Sequence, residues 1–115
     1  MTRADDLLDA VRELQPELAA RAGEIDRANR LPPDLADAMA RAGVFGMVAP
    51  PTSGEAPVDV AVMLEVIEMC AIASGSAGWC AMIGSTSAVS GAYLPSTAAG
   101  EIFADPMTIV GGVFA

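Results

Sequence analysis

The chain has 115 residues, a net charge of −9 and no histidine, and 53% of its residues are hydrophobic. This length suits one domain, and the hydrophobic fraction exceeds the roughly 45–50% of ordinary soluble domains, which indicates apolar surface meant for another domain or subunit. All six positive charges are arginines between Arg3 and Arg41, and every charged residue after Arg41 is acidic. Because the net charge is negative, the chain should repel phosphate backbones and anionic membrane surfaces. We therefore expect no nucleic-acid partner and no membrane partner.

The missing histidine excludes histidine-based metal sites and catalytic Ser-His-Asp or Cys-His arrangements within the chain, and we predict no metal site. Nine residues separate Cys70 from Cys80, which form no CxxC pair and are predicted to be small buried hydrophobic residues. The cysteines indicate no disulfide framework, which fits a reducing cytoplasm. The acidic, amphipathic start "MTRADDLLDAVRELQPE" does not resemble a signal peptide.

The first predicted helix carries apolar residues at steps of three, four and seven, namely Leu7, Val11, Leu14, Leu18 and Ile25. Thr2 and Asp5 have the spacing of a weak capping box at its start. Pro16 should kink this helix or restart it as a first-turn residue.

A second helix is predicted in "LPPDLADAMARAG", where Pro33 suits the first helical position and Gly43 suits the C-terminal cap. The following "VFGMVAP" predicts a short, buried, extended stretch, and "PPTSGEAP" predicts a loop. A third helix should open near Pro57 and Asp59, run to about Ala73 and be mostly buried.

Glu65 and Glu68 mark the narrow polar face of that third helix. They could be imagined as an acid–base pair, but their three-residue spacing is more typical of a solvated helix surface.

The next segment, "ASGSAGWCAMIGSTSAVSGAYLP", carries no charge and predicts a fourth helix that begins near Ser74 or Ser76. Its larger residues lie at helical spacing: Trp79, Met82, Ile83, Thr86 and Tyr93. A membrane span is one interpretation, but glycines and serines interrupt the segment and no Lys or Arg flanks it. Small residues favour close helix–helix packing, and the alternative is the wall of a pocket.

"PSTAAGEIFAD" predicts a short fifth helix after Pro95, and "TIVGGVFA" predicts a strand. A lone strand cannot satisfy its backbone groups, which suggests a fragment of a larger protein. We therefore predict an all-α domain of about five helices over residues 1–106, followed at 107–115 by the start of a β-domain.

Two segments resemble the acyl-CoA dehydrogenase family. "DRANRLPPDLADAMARAGVFGMVAP" is similar to the N-terminal stretch of these flavoproteins, with an acidic–basic pair, a proline-started helix and a glycine turn that leads to a loop. "SGSAGWCAMIGSTSAVSGAYLPSTAAGEIFADP" resembles the branch that contains two-component, flavin-dependent aromatic monooxygenases, with its "S-x-GW" helix and "LP" turn. The resemblance covers nearly the whole chain.

The resemblance implies an orthogonal or up-down helical N-terminal domain that closes one side of a substrate cavity. In the family a β-domain and a four-helix bundle follow, they hold most ligands of the flavin (FAD or FMN), and the subunits usually form tetramers. The implied substrate is an acyl-CoA or an aromatic compound, and the implied chemistry is oxidation at CH–CH groups, with aromatic monooxygenation as the alternative. No catalytic residue carries over to this chain, which we expect to be inactive alone.

One position departs from the monooxygenase pattern. Many of these enzymes have a histidine eight residues after the tryptophan of "GW", where this chain has Ser87. A serine can form hydrogen bonds but cannot act as a base near pH 7, which argues against aromatic hydroxylation and leaves acyl-CoA oxidation open.

Five residues are candidates to face the flavin or substrate: Trp79, Met82, Ile83, Thr86 and Ser87. For Trp79 and Ile83 the favoured alternative is plain core packing. A different function also stays open, that of a helical interaction module without enzymatic activity, which would bury its apolar faces against a partner.

Overall fold

The computed structural model describes residues 1–50 and 56–112 of the chain. Within these residues every regular element is helical, with α-helices and short 3-10 helices and no strand. The prediction of an all-α fold is confirmed. The described residues form six α-helices where about five were predicted, because the first predicted helix is divided in two.

The N-terminal helix α1 spans Arg3–Ala20 and is followed by α2 at Ala22–Ala28. The predicted capping box is formed. The backbone N–H of Asp5 donates to Oγ1 of Thr2 over 3.2 Å, and the backbone N–H of Thr2 donates to the Asp5 carboxylate over 3.1 Å. Both bonds satisfy donors that the first helical turn leaves without a backbone acceptor.

The helix does not restart at Pro16, which lies inside α1, and the break falls at Arg21 instead. Pro16 leaves the carbonyl of Arg12 without its helical donor, but both residues are exposed, so water can satisfy that carbonyl. At the break, the Arg21 guanidinium forms ion pairs with three carboxylates, those of Glu17, Glu24 and Asp34. These pairs join α1 and α2 to the next helix.

The third helix, α3, spans Pro33–Ala42 and ends at Gly43, whose φ of +96° is the left-handed conformation expected of a glycine cap. The predicted extended stretch after it is wrong, since Val44–Gly46 form a 3-10 helix. The reason is local: the backbone N–H of Gly46 donates to the carbonyl of Gly43 over 3.2 Å, so the cap continues into another tight turn. The stretch is buried, as predicted. The predicted loop falls largely on residues 51–55, outside the described part.

Two helices follow, α4 at Val60–Ala73 and α5 at Gly75–Ser87. The bounds of α4 and the start of α5 agree with the prediction. Ser74 separates them, and its hydroxyl caps α5 by accepting from the backbone N–H of Ala77 over 3.2 Å. The prediction that α4 is mostly buried is wrong on one side. That side exposes the large apolar residues Val60, Leu64 and Ile72.

A 3-10 helix at Ala88–Tyr93 leads to the last α-helix, α6, which spans Ser96–Phe103 and begins after Pro95 as predicted. No strand forms over residues 107–112, and the remainder of the predicted strand lies outside the described residues. A single strand would have no neighbour to pair with among these helices. The division into residues 1–106 and 107–115 stays a prediction.

The core forms where α4 packs between α1 and α5, with α3 against α1. Its fully buried side chains include Val11, Leu18, Met39, Val44, Val66 and Cys70. The molecule measures 41 × 38 × 22 Å, and its thickness is about two helix diameters. In a domain this thin, the outer side of α5 remains partly exposed, and Trp79 lies on it.

Candidate functional site

The five residues singled out in the sequence lie on the outer side of α5. Trp79, Ile83 and Thr86 follow one another at helical spacing, and Met82 and Ser87 flank them. We call these five residues the α5 strip. Trp79 is 65% exposed, Thr86 is exposed, and the other three residues are half-buried. Core packing of Trp79, the favoured alternative in the sequence, is therefore wrong.

The inner side of α5 explains why the large residues point outward. It is built from small residues, and Ala77, Ala81 and Gly84 are buried there. A Cβ added at Gly84 would lie 2.8 Å from Cε1 of Phe45, so only glycine admits this ring. The segment rich in glycine and serine is thus a close-packing surface, as one sequence interpretation proposed, and its bulk lies on the opposite side.

A glycine also allows close packing in the 3-10 helix that follows. A Cβ added at Gly91 would lie 2.6 Å from Cγ of Pro50 and 3.0 Å from Cζ of Phe103. These contacts hold α6 and the end of the turn after α3 against the continuation of α5. The close approaches at Gly84 and Gly91 together fix the direction in which the strip faces.

Hydroxyl groups are arranged differently on the two sides of α5. Ser85 is fully buried and donates to the carbonyl of Ala81 over 2.5 Å, which satisfies the hydroxyl within its own helix. On the strip, Thr86 donates to the carbonyl of Met82 over 2.6 Å and keeps its acceptor capacity. The half-buried Ser87 hydroxyl forms no hydrogen bond with the described residues. The strip therefore offers hydrogen-bonding oxygens beside apolar side chains.

A pocket of about 270 Å³ opens beside Trp79, between α5 and the turn that joins α2 to α3. We call it the α5 pocket. Its wall includes Leu31 and Cys80, and its polar rim includes Asp26, Arg30 and Ser76. The Ser76 hydroxyl donates to the Asp26 carboxylate over 2.9 Å, which ties α5 to α2 at the pocket edge.

Sequence reasoning missed the α2 side of this pocket. Asp26 and Arg30 lie about fifty residues from Ser76 in the chain, and no local spacing brings them together with α5. The contact depends on how α2 packs against α5.

The two thiols are poor nucleophiles. Burial raises the pKa of Cys70 to about 11 and also raises the pKa of Cys80, the residue that lines the α5 pocket. Both cysteines are therefore protonated near neutral pH, and neither has the lowered pKa of a reactive cysteine. The burial predicted for Cys70 is confirmed, whereas Cys80 is only half-buried.

A second, larger groove of about 780 Å³ runs between α1, the end of α3 and the residues after α6. Phe45 and Phe103 form apolar parts of its wall, and charges of both signs line it. One of them, Arg3, donates to the carbonyls of Gly46 and Ala56. The sequence did not indicate this groove, which α6 closes from a distant part of the chain.

Among the described helices, none combines the length and the apolar character that crossing a membrane requires. The uncharged segment of α5 spans only Gly75–Ser87 as an α-helix.

Comparison with known proteins identifies the family of the chain. Residues 2–101 match the model of the acyl-CoA dehydrogenase N-terminal domain. The chain is also 38% identical over 110 residues to an indole-3-acetate monooxygenase of Pseudomonas putida, and the match covers 94% of this chain and 27% of that enzyme. No solved structure matches the chain significantly. Because the domain match covers most of the residues, the chain belongs to the acyl-CoA dehydrogenase family and contains its N-terminal domain.

Proposed function

We propose that this chain forms one wall of the substrate cavity in a flavin-dependent oxidoreductase. The observation that carries the proposal is the α5 strip, where a helix with small residues on its packed side leaves Trp79 exposed and its other large side chains half-buried. An exposed tryptophan beside half-buried apolar residues is typical of a surface that another group covers. The family match supports a flavin as the cofactor of the complete enzyme.

The residues of the strip fit a flavin or a flat substrate. Trp79 and Ile83 provide apolar surface for a ring, and Thr86 and Ser87 provide hydroxyl oxygens for its polar edge. A bound flavin would supply the redox chemistry, while the protein supplies binding and orientation. The chain supports one side of such a site, since the match covers only 27% of the related enzyme.

The role of the strip is to bind and to exclude water. Trp79 and Met82 would cover the ring of the bound group, and the Thr86 and Ser87 hydroxyls would orient it. None of these side chains accepts a proton as a base near neutral pH, so any proton removal falls to another part of the complete protein.

Two reaction classes are compatible with this cavity. The family model favours dehydrogenation at CH–CH groups, as in acyl-CoA dehydrogenases. The relative that is named an indole-3-acetate monooxygenase favours oxygenation of an aromatic compound, and Ser87 is compatible with it only if the reaction needs no base at that position. FAD and FMN are both compatible with the strip.

The test uses the complete gene product that contains this segment. We expect it to bind flavin, and we expect Trp79→Ala and Thr86→Val to weaken binding of flavin or substrate. Thr97→Val, on the exposed side of α6, is the matched control and should have no effect. Bleaching of the flavin by an acyl-CoA without oxygen would support dehydrogenation, and oxygen-dependent product formation from an aromatic acid would support monooxygenation. A complete protein that binds neither FAD nor FMN would overturn the proposal.

The exposed side of α4 favours a second candidate, an interaction module. Val60, Leu64 and Ile72 are 62%, 57% and 74% exposed. Such a surface can associate with a second subunit, in line with the oligomers of the family. Sedimentation velocity measures this directly. A chain that stays monomeric at high concentration would count against self-association through α4.

A further inference from the structure

The α5 pocket combines three features that suit ligand binding. It is concave, it is bordered by an exposed tryptophan, and its rim carries an arginine. Its volume of about 270 Å³ lies just below the usual range of ligand pockets, which suits a single aromatic ring with a short side arm.

The rim of the pocket carries one charge of each sign, Asp26 and Arg30, and the two differ in their partners. Within the part of the chain that the structure describes, no carboxylate forms an ion pair with Arg30. The acidic residue on the same rim, Asp26, accepts a hydrogen bond from Ser76. Arg30 is exposed, and its side chain is the charged group of the rim that has no partner among the described residues. A guanidinium pairs best with a carboxylate.

The uncharged wall of the α5 pocket favours a flat, apolar ligand group. Leu31 and Cys80 line the pocket without charge, and the Cys80 thiol is neutral near pH 7. The indole of Trp79 offers a broad flat face, on which aromatic rings pack well. A planar ring can lie against Trp79 while an acid group on its arm reaches the rim.

We propose that the α5 pocket binds a small aromatic carboxylate, with the ring against Trp79 and the carboxylate at Arg30. The inference rests on the proposed function as far as this ligand is a substrate or product, and it makes Arg30 a residue that determines specificity. Binding itself requires no flavin, so it can be measured separately.

The experiment titrates the 15N-labelled 115-residue chain with phenylacetate and with phenylacetamide, a neutral compound of nearly the same shape. The chain has one tryptophan, so a single indole N–H signal reports on the pocket. We expect this signal to shift in a saturable way and phenylacetate to bind about two- to fivefold more tightly than phenylacetamide, the range for an exposed ion pair.

Arg30→Gln should remove the preference for phenylacetate, whereas Arg27→Gln should keep it. Arg27 is an exposed arginine in the last turn of α2 that does not line the pocket. An indole signal that moves with neither compound, equal binding of the two compounds, or an unchanged preference in Arg30→Gln would each overturn the proposal. Flavin binding by the complete protein is a separate measurement, and its outcome does not depend on these results.

Discussion

Gly78 of α5 lies directly against Ala71 of α4, so close that a Cβ added at position 78 would lie 2.6 Å from the Cα of Ala71. Real Cβ atoms do not approach backbone atoms to this distance, so any larger residue must push the two helices apart. This contact sets the separation of α4 and α5, and with it the position of the α5 strip.

Gly78→Ala should therefore destabilise the fold. Alanine gains about 1 kcal/mol of helix propensity over glycine, but overpacking against the α4 backbone costs about 1–3 kcal/mol. We expect the free energy of unfolding to fall by up to about 2 kcal/mol, measured by urea denaturation with circular dichroism. Gly100→Ala is the matched control, because a Cβ there meets nothing within 4 Å and should stabilise α6 by about 0.5–1 kcal/mol. A stabilised Gly78→Ala variant would show that α4 and α5 are farther apart than described.

Acid should weaken the junction between α2 and α3. The Arg21 guanidinium holds the pKa of Asp34 below its ordinary value of 3.8. Since the folded-state pKa is the lower one, the ion pair stabilises the fold above the unfolded-state pKa, and its contribution is lost as pH falls through the folded-state pKa. Asp34→Asn should therefore melt below the wild type at pH 7 and converge with it at a pH well below 3.8.

The control for this pH dependence is Asp37→Asn, an exposed residue of the same helix that forms no ion pair with the described residues. Its melting temperature should differ from that of the wild type by a similar small amount at both pH values. A gap between Asp34→Asn and the wild type that persists in acid would contradict the assignment.

The thiols should react slowly and in a fixed order. Cys70 is 1% exposed with a pKa near 11, whereas Cys80 is half-buried. In the native chain at neutral pH we expect Cys80 to react with dithionitrobenzoate before Cys70, and both to react quickly after unfolding. The variants Cys70→Ser and Cys80→Ser assign the two phases. Equal native rates for the two cysteines would contradict the burial of Cys70.

Trp79 fluorescence tests the orientation of the strip. Because Trp79 is 65% exposed, the emission of the folded chain should lie close to that of N-acetyl-tryptophanamide, and acrylamide should quench it readily. Dilution separates exposure from self-association, since a subunit interface over the strip would give blue-shifted emission only at high concentration. Blue-shifted emission at every concentration would mean that Trp79 is buried within the chain.

The helix ends were predictable because each depends on residues that are close in sequence. Thr2 with Asp5, Pro33 and Gly43 act through one turn of backbone and behave as predicted. Of the two starts predicted for α5, Ser74 is the one that caps the helix. The break at Arg21 was not predictable from Pro16, because it coincides with an ion pair to Asp34, thirteen residues away.

The candidate site was predictable only as a pattern. The sequence by itself determined that α5 carries small residues on one side and Trp79, Ile83 and Thr86 on the other, because helical periodicity alone defines those sides. Only the tertiary structure decided which side faces the core: the close approach of Gly78 to Ala71 and of Gly84 to Phe45 requires the small side to face inward. Long-range packing likewise created the pocket between Arg30 and Trp79, since a contact between distant segments leaves no periodic trace in the chain.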